Sequence, residues 1–282
     1  MDRLGINTQT LFGMPPVDHV NLAADLGCGH ISTGLSPVPW KLEQFPDWSL
    51  RDDPRLQREL RAALKDRRIA IAFAEGCIVR PQVEVSSYAA DLDLFAELGA
   101  QGVSTVCMEP DRGRALDQLG ALAELATERT MSAAFEFAPP HTFNTLGAVL
   151  SAVDQIGSPN IALLIDAMHF FRTGGTLDQL AAIDPELIGY VQLCDAPLAG
   201  DSEDYYREAS FERQCPGEGE LPLRDLLAVV PEGVLIGLEV PILSQIQAGV
   251  DLKQTVDHLV RASRRLLDES GINGVTSAAP SH

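Results

Sequence analysis

Ile161-Ala-Leu-Leu-Ile-Asp166-Ala-Met-His169 is the stretch whose reading decides the fold. Five apolar residues run without a break into an aspartate. A histidine stands three positions on, and the turn Arg172-Thr-Gly-Gly175 follows. A short apolar run without alternation is the pattern of a strand buried on both faces. Ending it on Asp and then His places an oxygen ligand and a proton-carrying ring at the strand's carboxyl end. In parallel α/β folds that end is where chemistry is done.

Working outward, seven further runs read as strands: Arg3 to Asn7, His30 to Leu35, Ile69 to Glu75, Gly102 to Glu109, Ser132 to Ala138, Ile188 to Asp195 and Val234 to Val240. Helical patterns separate them: Pro15 to Leu26, Arg55 to Arg68, Ser86 to Leu98, Asp111 to Arg129, Phe143 to Ile156, Leu177 to Ile183, Leu221 to Val230 and Asp251 to Asp268. Leu56, Leu60 and Leu64 give the second helix one apolar face, while Gly27, Gly99 and Gly157 supply helix stops. Eight strands, each followed by a helix, predict an α/β chain folded as a single (β/α)8 TIM barrel over residues 1–270. Residues 271–282, rich in Gly, Ser and Ala, are expected to be a flexible C-terminal tail. An open doubly wound sheet would call for a Gly-rich phosphate turn after the first strand, and Asn7-Thr-Gln-Thr is not one. Two connections are long. Ser36 to Asp53 carries both tryptophans, Trp40 and Trp48, and is expected to wall a pocket; Ala196 to Gly219 reads as a polar loop.

The length of 282 residues matches one barrel. A net charge of −19 leaves no basic stripe for nucleic acid and no attraction to an anionic membrane surface. Five scattered cysteines without a CxxC pair, and a start with no apolar signal region, set the expectation of a reduced cytoplasm. The outer helices need their apolar faces for the barrel itself, so a homo-oligomer stays open.

Four strand ends carry the chemistry. Glu136, Asp166, Gln192 and Glu239 each sit inside an apolar segment, at the ends of strands five, six, seven and eight. A buried carboxylate is costly unless it is paired or holds a metal, and three at one barrel mouth would repel one another. A divalent cation removes the difficulty. Carboxylate and amide oxygens suit Mn2+ best, with Mg2+ or Co2+ as alternatives.

The pieces Phe135-Glu-Phe137, Asp166-Ala-Met-His169, Val191-Gln-Leu-Cys-Asp195, Arg213-Gln-Cys-Pro-Gly-Glu-Gly219 and Leu238-Glu239 together resemble the xylose isomerase-like barrels. These include sugar isomerases, ketose 3-epimerases, inosose-converting enzymes and 3-dehydroshikimate dehydratases. The resemblance implies that Glu136, Asp166, Gln192 and Glu239 hold the metal and that His169 and Arg213 bind substrate oxygens. It implies an isomerase or epimerase acting on a polyhydroxylated ketone through an enediolate, with Glu136 and Glu239 as the acid/base pair and His169 assisting. The family's sugar epimerases usually carry His where this chain has Gln192. Gln there looks more like the dehydratases, which use the same enolate chemistry on a keto-acid.

Other polar residues are read more modestly. His141 and Asp195 are further candidates for substrate contact. Glu75 and Glu109 end strands three and four, where rim ion pairs are the expectation. His30 opens a strand and reads as structural; His19 and His258 lie in helices. The resemblance also reaches endonuclease IV-like enzymes, but those need a His-rich zinc cluster and a basic face. This chain has six His and excess acid. A decayed barrel without catalysis is opposed by the intact set of four ligands.

Overall fold

A computed structural model describes residues 2–200 and 204–270; the expected tail, 271–282, lies outside them. Eight parallel strands close into a barrel in sequential order. They are β1 (Leu4–Ile6), β2 (His30–Thr33), β3 (Ala70–Ala74), β4 (Ala100–Val106), β5 (Ser132–Glu136), β6 (Ile161–Asp166), β7 (Ile188–Leu193) and β8 (Leu235–Leu238). β1 pairs with β8 to complete the ring. The chain is therefore a (β/α)8 barrel, as its βα alternation predicts. The outer ring includes α1 (Pro16–Asp25), α2 (Pro54–Arg67), α3 (Ala89–Leu98), α4 (Arg112–Thr127) and α5 (Leu146–Ile156). No helix among the described residues is long and apolar enough to cross a membrane.

Side chains alternate across each strand, so every second residue points into the barrel. Phe73, Ala134, Leu164 and Tyr190 pack together there as an interior cluster. One inward step further along the chain stand Glu75, Glu136, Asp166 and Gln192. Register sets their spacing: Asp166 pairs with Gln192, Gln192 with Gly237, and Val106 with Glu136. The space for Tyr190 exists because residue 237 is glycine. A Cβ there would lie 2.0 Å from the tyrosine oxygen.

The structure adds helices that the hydrophobic pattern does not announce. α6 (Ala167–Arg172) begins directly after β6, ahead of the expected turn at 172–175 and in a stretch assigned no helix. After α7 (Leu177–Ala181), the long connection following β7 contains α8 (Tyr205–Phe211), which buries Tyr205 and Ala209 at i and i+4. Beyond it come α9 (Leu223–Val229), α10 (Leu243–Gln247) and α11 (Leu252–Glu269). β4 starts two residues earlier than its apolar pattern suggests and stops at Val106, leaving Cys107 to Glu109 in the loop. All five cysteines are buried and unpaired.

Candidate active site at the barrel mouth

Asp166 ends β6 and also caps α6: its Oδ1 accepts the His169 backbone N–H at 2.8 Å. One residue thus fixes the position of another, because the cap satisfies an orphan donor of the helix. The His169 ring then lies between carboxylates. Nε2 is 3.3 Å from Glu136 Oε1, and Nδ1 is 3.5 Å from Asp166 Oδ1. Ligand atoms of Glu136, Asp166 and His169 all lie within 4.8 Å of one another.

Arg213 enters from the connection after β7 and is buried. Its Nη1 donates to Asp166 Oδ2 and, at 3.1 Å, to Cys194 Sγ; its Nη2 reaches Glu239 Oε1 at 3.2 Å. The guanidinium therefore joins two acids that the sequence assigns to the metal. For Asp166, burial works against the charge, yet Arg213 and His169 outweigh it and hold the carboxyl below its usual range. Glu239 goes the other way. Burial raises it well above the usual range, Arg213 opposes, and repulsion from Glu136, Asp166 and Glu75 adds to the rise.

Glu75 belongs to this group, which corrects the expectation of a rim ion pair. It accepts from Asn7 Nδ2 at 2.7 Å. Burial and the nearby Glu136 push it up to about 7, against hydrogen bonds from Ser32 and Asn7. Glu109 is the rim pair expected, with Arg114 at 3.0 Å. Asp195, a candidate for substrate contact, has its oxygens engaged by the backbone. It is buried, and its two oxygens accept the backbone N–H groups of Ala196, Gly217 and Leu221. It fastens the Pro216-Gly-Glu-Gly219 turn, a use that the residue's place at a strand end does not reveal.

Four acids (Glu75, Glu136, Asp166, Glu239) thus face one buried arginine. The Gln192 amide oxygen is buried with no hydrogen-bond partner. An orphan acceptor beside excess negative charge has the donor chemistry of a hard or borderline cation. The residues present fit a divalent metal: Glu136, Asp166 and His169 offer ligand atoms close together, and Gln192 and Glu239 could complete the set.

Above the acids lies a cavity of about 780 Å³, lined by Glu136, His169, Arg213 and Glu239 and walled by Trp40, Met108 and Phe211. Trp40 meets Phe211 edge-on at 5.3 Å, so the loop after β2 does wall the pocket. Trp48 instead donates to Gly13 O at 3.1 Å. His141 lines the cavity, and burial lowers it to about 4. Tyr205 escaped the sequence reading. It hydrogen-bonds His169 Nδ1 from α8. The i, i+4 pair Tyr205/Ala209 was the only signal, hidden in a charged loop. Away from the mouth, His19 bonds Ile6 O at 3.1 Å, His30 bonds Arg3 O at 2.9 Å, and His258 meets Glu218 at 2.7 Å.

Residues 20–266 match the family described as xylose isomerase-like TIM barrel. This chain belongs to that family. Among xylose isomerase-like proteins, it is 29% identical over 120 residues to an inosose isomerase of Halalkalibacterium halodurans, covering 40% of each chain. It is 29% identical over 188 residues to a 3-dehydroshikimate dehydratase of Pseudomonas putida, covering 61% of this chain and 29% of that one. The matches span less than half the length of either relative. A crystal structure of IolI protein with a bound zinc atom has the same barrel, with a TM-score of 0.78 at 17% identity over 96% of this chain and 99% of that one.

Proposed function

We propose that this xylose isomerase-like chain is a metal-dependent enzyme that removes a proton from the carbon beside a ketone in a small hydroxylated substrate, a keto-polyol or keto-acid. The observation that carries the reading is the unbalanced mouth: acids from three strands and the β8 end, one orphan amide oxygen and one arginine, at the floor of a cavity. When bound, a divalent cation there would polarise the ketone and acidify the neighbouring C–H. Mn2+ suits this oxygen-rich set, Mg2+ and Co2+ are alternatives, and the zinc of the IolI structure is a cation of comparable demand.

The chain's own residues divide the remaining work. Glu136 is the base, and His169 Nε2 at 3.3 Å orients its carboxylate. Glu239 stands across the mouth on the β8 side and returns the proton. Arg213, between Asp166 and Glu239, offers positive charge to the developing enediolate. α8 and Trp40 roof the cavity and limit water.

Returning the proton gives isomerisation or epimerisation, which two facing carboxyls serve. Expelling a β-hydroxyl gives dehydration. Gln192 and the longer match to the dehydratase favour that second outcome. The test is incubation with Mn2+ in D2O of an inosose-type cyclic ketone and of 3-dehydroshikimate. NMR would follow exchange of the α-proton, and ultraviolet absorbance would follow an aromatic product. Exchange with rearrangement supports the first outcome, and aromatisation supports the second. No exchange in either substrate overturns the proposal.

A further inference from the structure

His169 has two ring nitrogens in different surroundings, and hydrogen-bond accounting distinguishes the places its proton can take. Nε2 faces Glu136 Oε1 at 3.3 Å. A carboxylate oxygen accepts and cannot donate, so this contact is favourable when Nε2 bears the hydrogen. Nδ1 then has a lone pair and needs a donor. Asp166 Oδ1, 3.5 Å away, cannot supply one, because it is itself an acceptor that already takes the His169 backbone N–H. The Tyr205 hydroxyl, hydrogen-bonded to Nδ1, can. Burial holds this phenol well above its usual range, so it remains an O–H donor.

We propose that Tyr205 is a positioning residue: it fixes His169 in the tautomer whose Nε2–H points at Glu136, and it makes that tautomer depend on α8 sitting over the barrel mouth.

The second half follows from how α8 is held. Arg172, three residues after His169 on α6, pairs with Glu208 of α8 at 2.8 Å, and its Nε donates to Pro197 O at 2.8 Å. At the other end of α8, Phe211 packs edge-on against Trp40. Arg213 Nε donates to Ala209 O at 2.8 Å, so the same helix also holds the guanidinium that reaches Asp166 and Glu239. One seven-residue helix thus touches both basic side chains of the site. Lifting it would remove the only hydroxyl donor to Nδ1 among the described residues. With both nitrogens then facing only carboxylates, the two tautomers would compete, and whenever the proton sits on Nδ1 an Nε2 lone pair meets the Glu136 carboxylate. In that tautomer the ring would no longer orient the base.

The catalytic part of this inference rests on the proposed reaction; the tautomer does not. The deciding experiment is 15N NMR of the histidine ring nitrogens in the full chain, with and without Zn2+, His169→Gln identifying the resonances. The expected wild-type pattern is an unprotonated Nδ1 and a protonated Nε2. Tyr205→Phe keeps the ring and removes only the hydroxyl, and should shift proton population from Nε2 toward Nδ1. A wild-type Nδ1 that already carries the proton overturns the proposal, and that measurement needs no variant to fold. So does a Tyr205→Phe pattern identical to wild type. In turnover, Tyr205→Phe should lower kcat about 10- to 100-fold, as loss of an orienting partner does, with KM changed less than about twofold. A shifted tautomer with unchanged kcat removes the positioning role. Absence of any turnover in the wild type would sink the proposed reaction and leave the tautomer result standing.

Discussion

His30 and His169 are both buried and stand at opposite ends of one barrel. At the amino end, His30 bonds a single backbone carbonyl, leaves Nδ1 without a partner and lies 5.7 Å from the Tyr190 ring. Its surroundings are apolar and burial lowers it to about 4, so it stays neutral. At the carboxyl end, His169 lies between two carboxylates with a phenol on Nδ1. Burial alone does not make a site. Both ends bury polar groups, but only one collects charge that the chain's own residues leave unbalanced. The difference arises because loops gather above the carboxyl ends of the strands, where α6, α8 and Arg213 can reach the interior, while the amino end is closed by packing.

The comparison can be broken most severely at Asp166. Asp166→Ala should leave the Arg213 guanidinium buried without its main partner, costing about 3–5 kcal/mol. It should also abolish uptake of a divalent metal, read by urea unfolding and elemental analysis. If metal binds unchanged, Asp166 is not one of its holders.

Gly237→Ala tests the closed end next. The added Cβ meets the Tyr190 oxygen at 2.0 Å and Cζ at 2.7 Å, so overpacking should cost about 1–3 kcal/mol. The loss should be smaller in the double variant with Tyr190→Phe. Equal losses in both would show that Tyr190 moves aside freely.

The two ends should also have opposite pH signatures in chelator-treated protein. The folded state holds the Glu75 proton up to about 7, whereas the unfolded carboxyl loses it near the ordinary 4.5. Between those values the folded state binds more protons, so this contribution to stability falls as pH rises through that window. His30 is the reverse. The unfolded ring takes a proton below 6.5 and the folded ring only near 4, so stability falls as pH drops through that window. By linkage each is worth about 3 kcal/mol. Glu75→Gln should flatten the loss on the higher-pH side only, and added Mn2+ should stabilise more at pH 8 than at pH 5. Melting temperature against pH checks both.

The smallest effect is expected from Tyr190→Phe alone. Its hydroxyl is buried without a partner. Removing it should be neutral or stabilising by up to about 1 kcal/mol. A clear destabilisation would mean that the hydroxyl does have a partner.

Much of the site was legible because strand periodicity is local. A carboxylate inside an apolar run, as at Glu136, Asp166 and Glu239, is visible as an energetic anomaly in the sequence. Glu75 looked similar but was read as a rim residue, since nothing in Ile69 to Glu75 tells whether a strand-end acid faces inward or meets an arginine. Glu109 and Glu75 have the same local signature and opposite fates. Asp195 shows the same limit: two backbone N–H groups from across a turn, those of Gly217 and Leu221, claim its oxygens, and a turn's return path is not written in the residues that it returns to.

By itself the sequence determined the barrel, the strand-end acids Glu136, Asp166 and Glu239 and the depletion of basic charge, because alternation, apolar runs and net charge depend on neighbours along the chain. Tertiary structure alone decided that Arg213 joins Asp166 to Glu239, that Glu75 enters the acidic group, and that Tyr205 meets His169. Those are encounters between residues 26 to 68 or more positions apart. Their pairing depends on barrel closure and on a short helix whose stability comes from the surface that it covers.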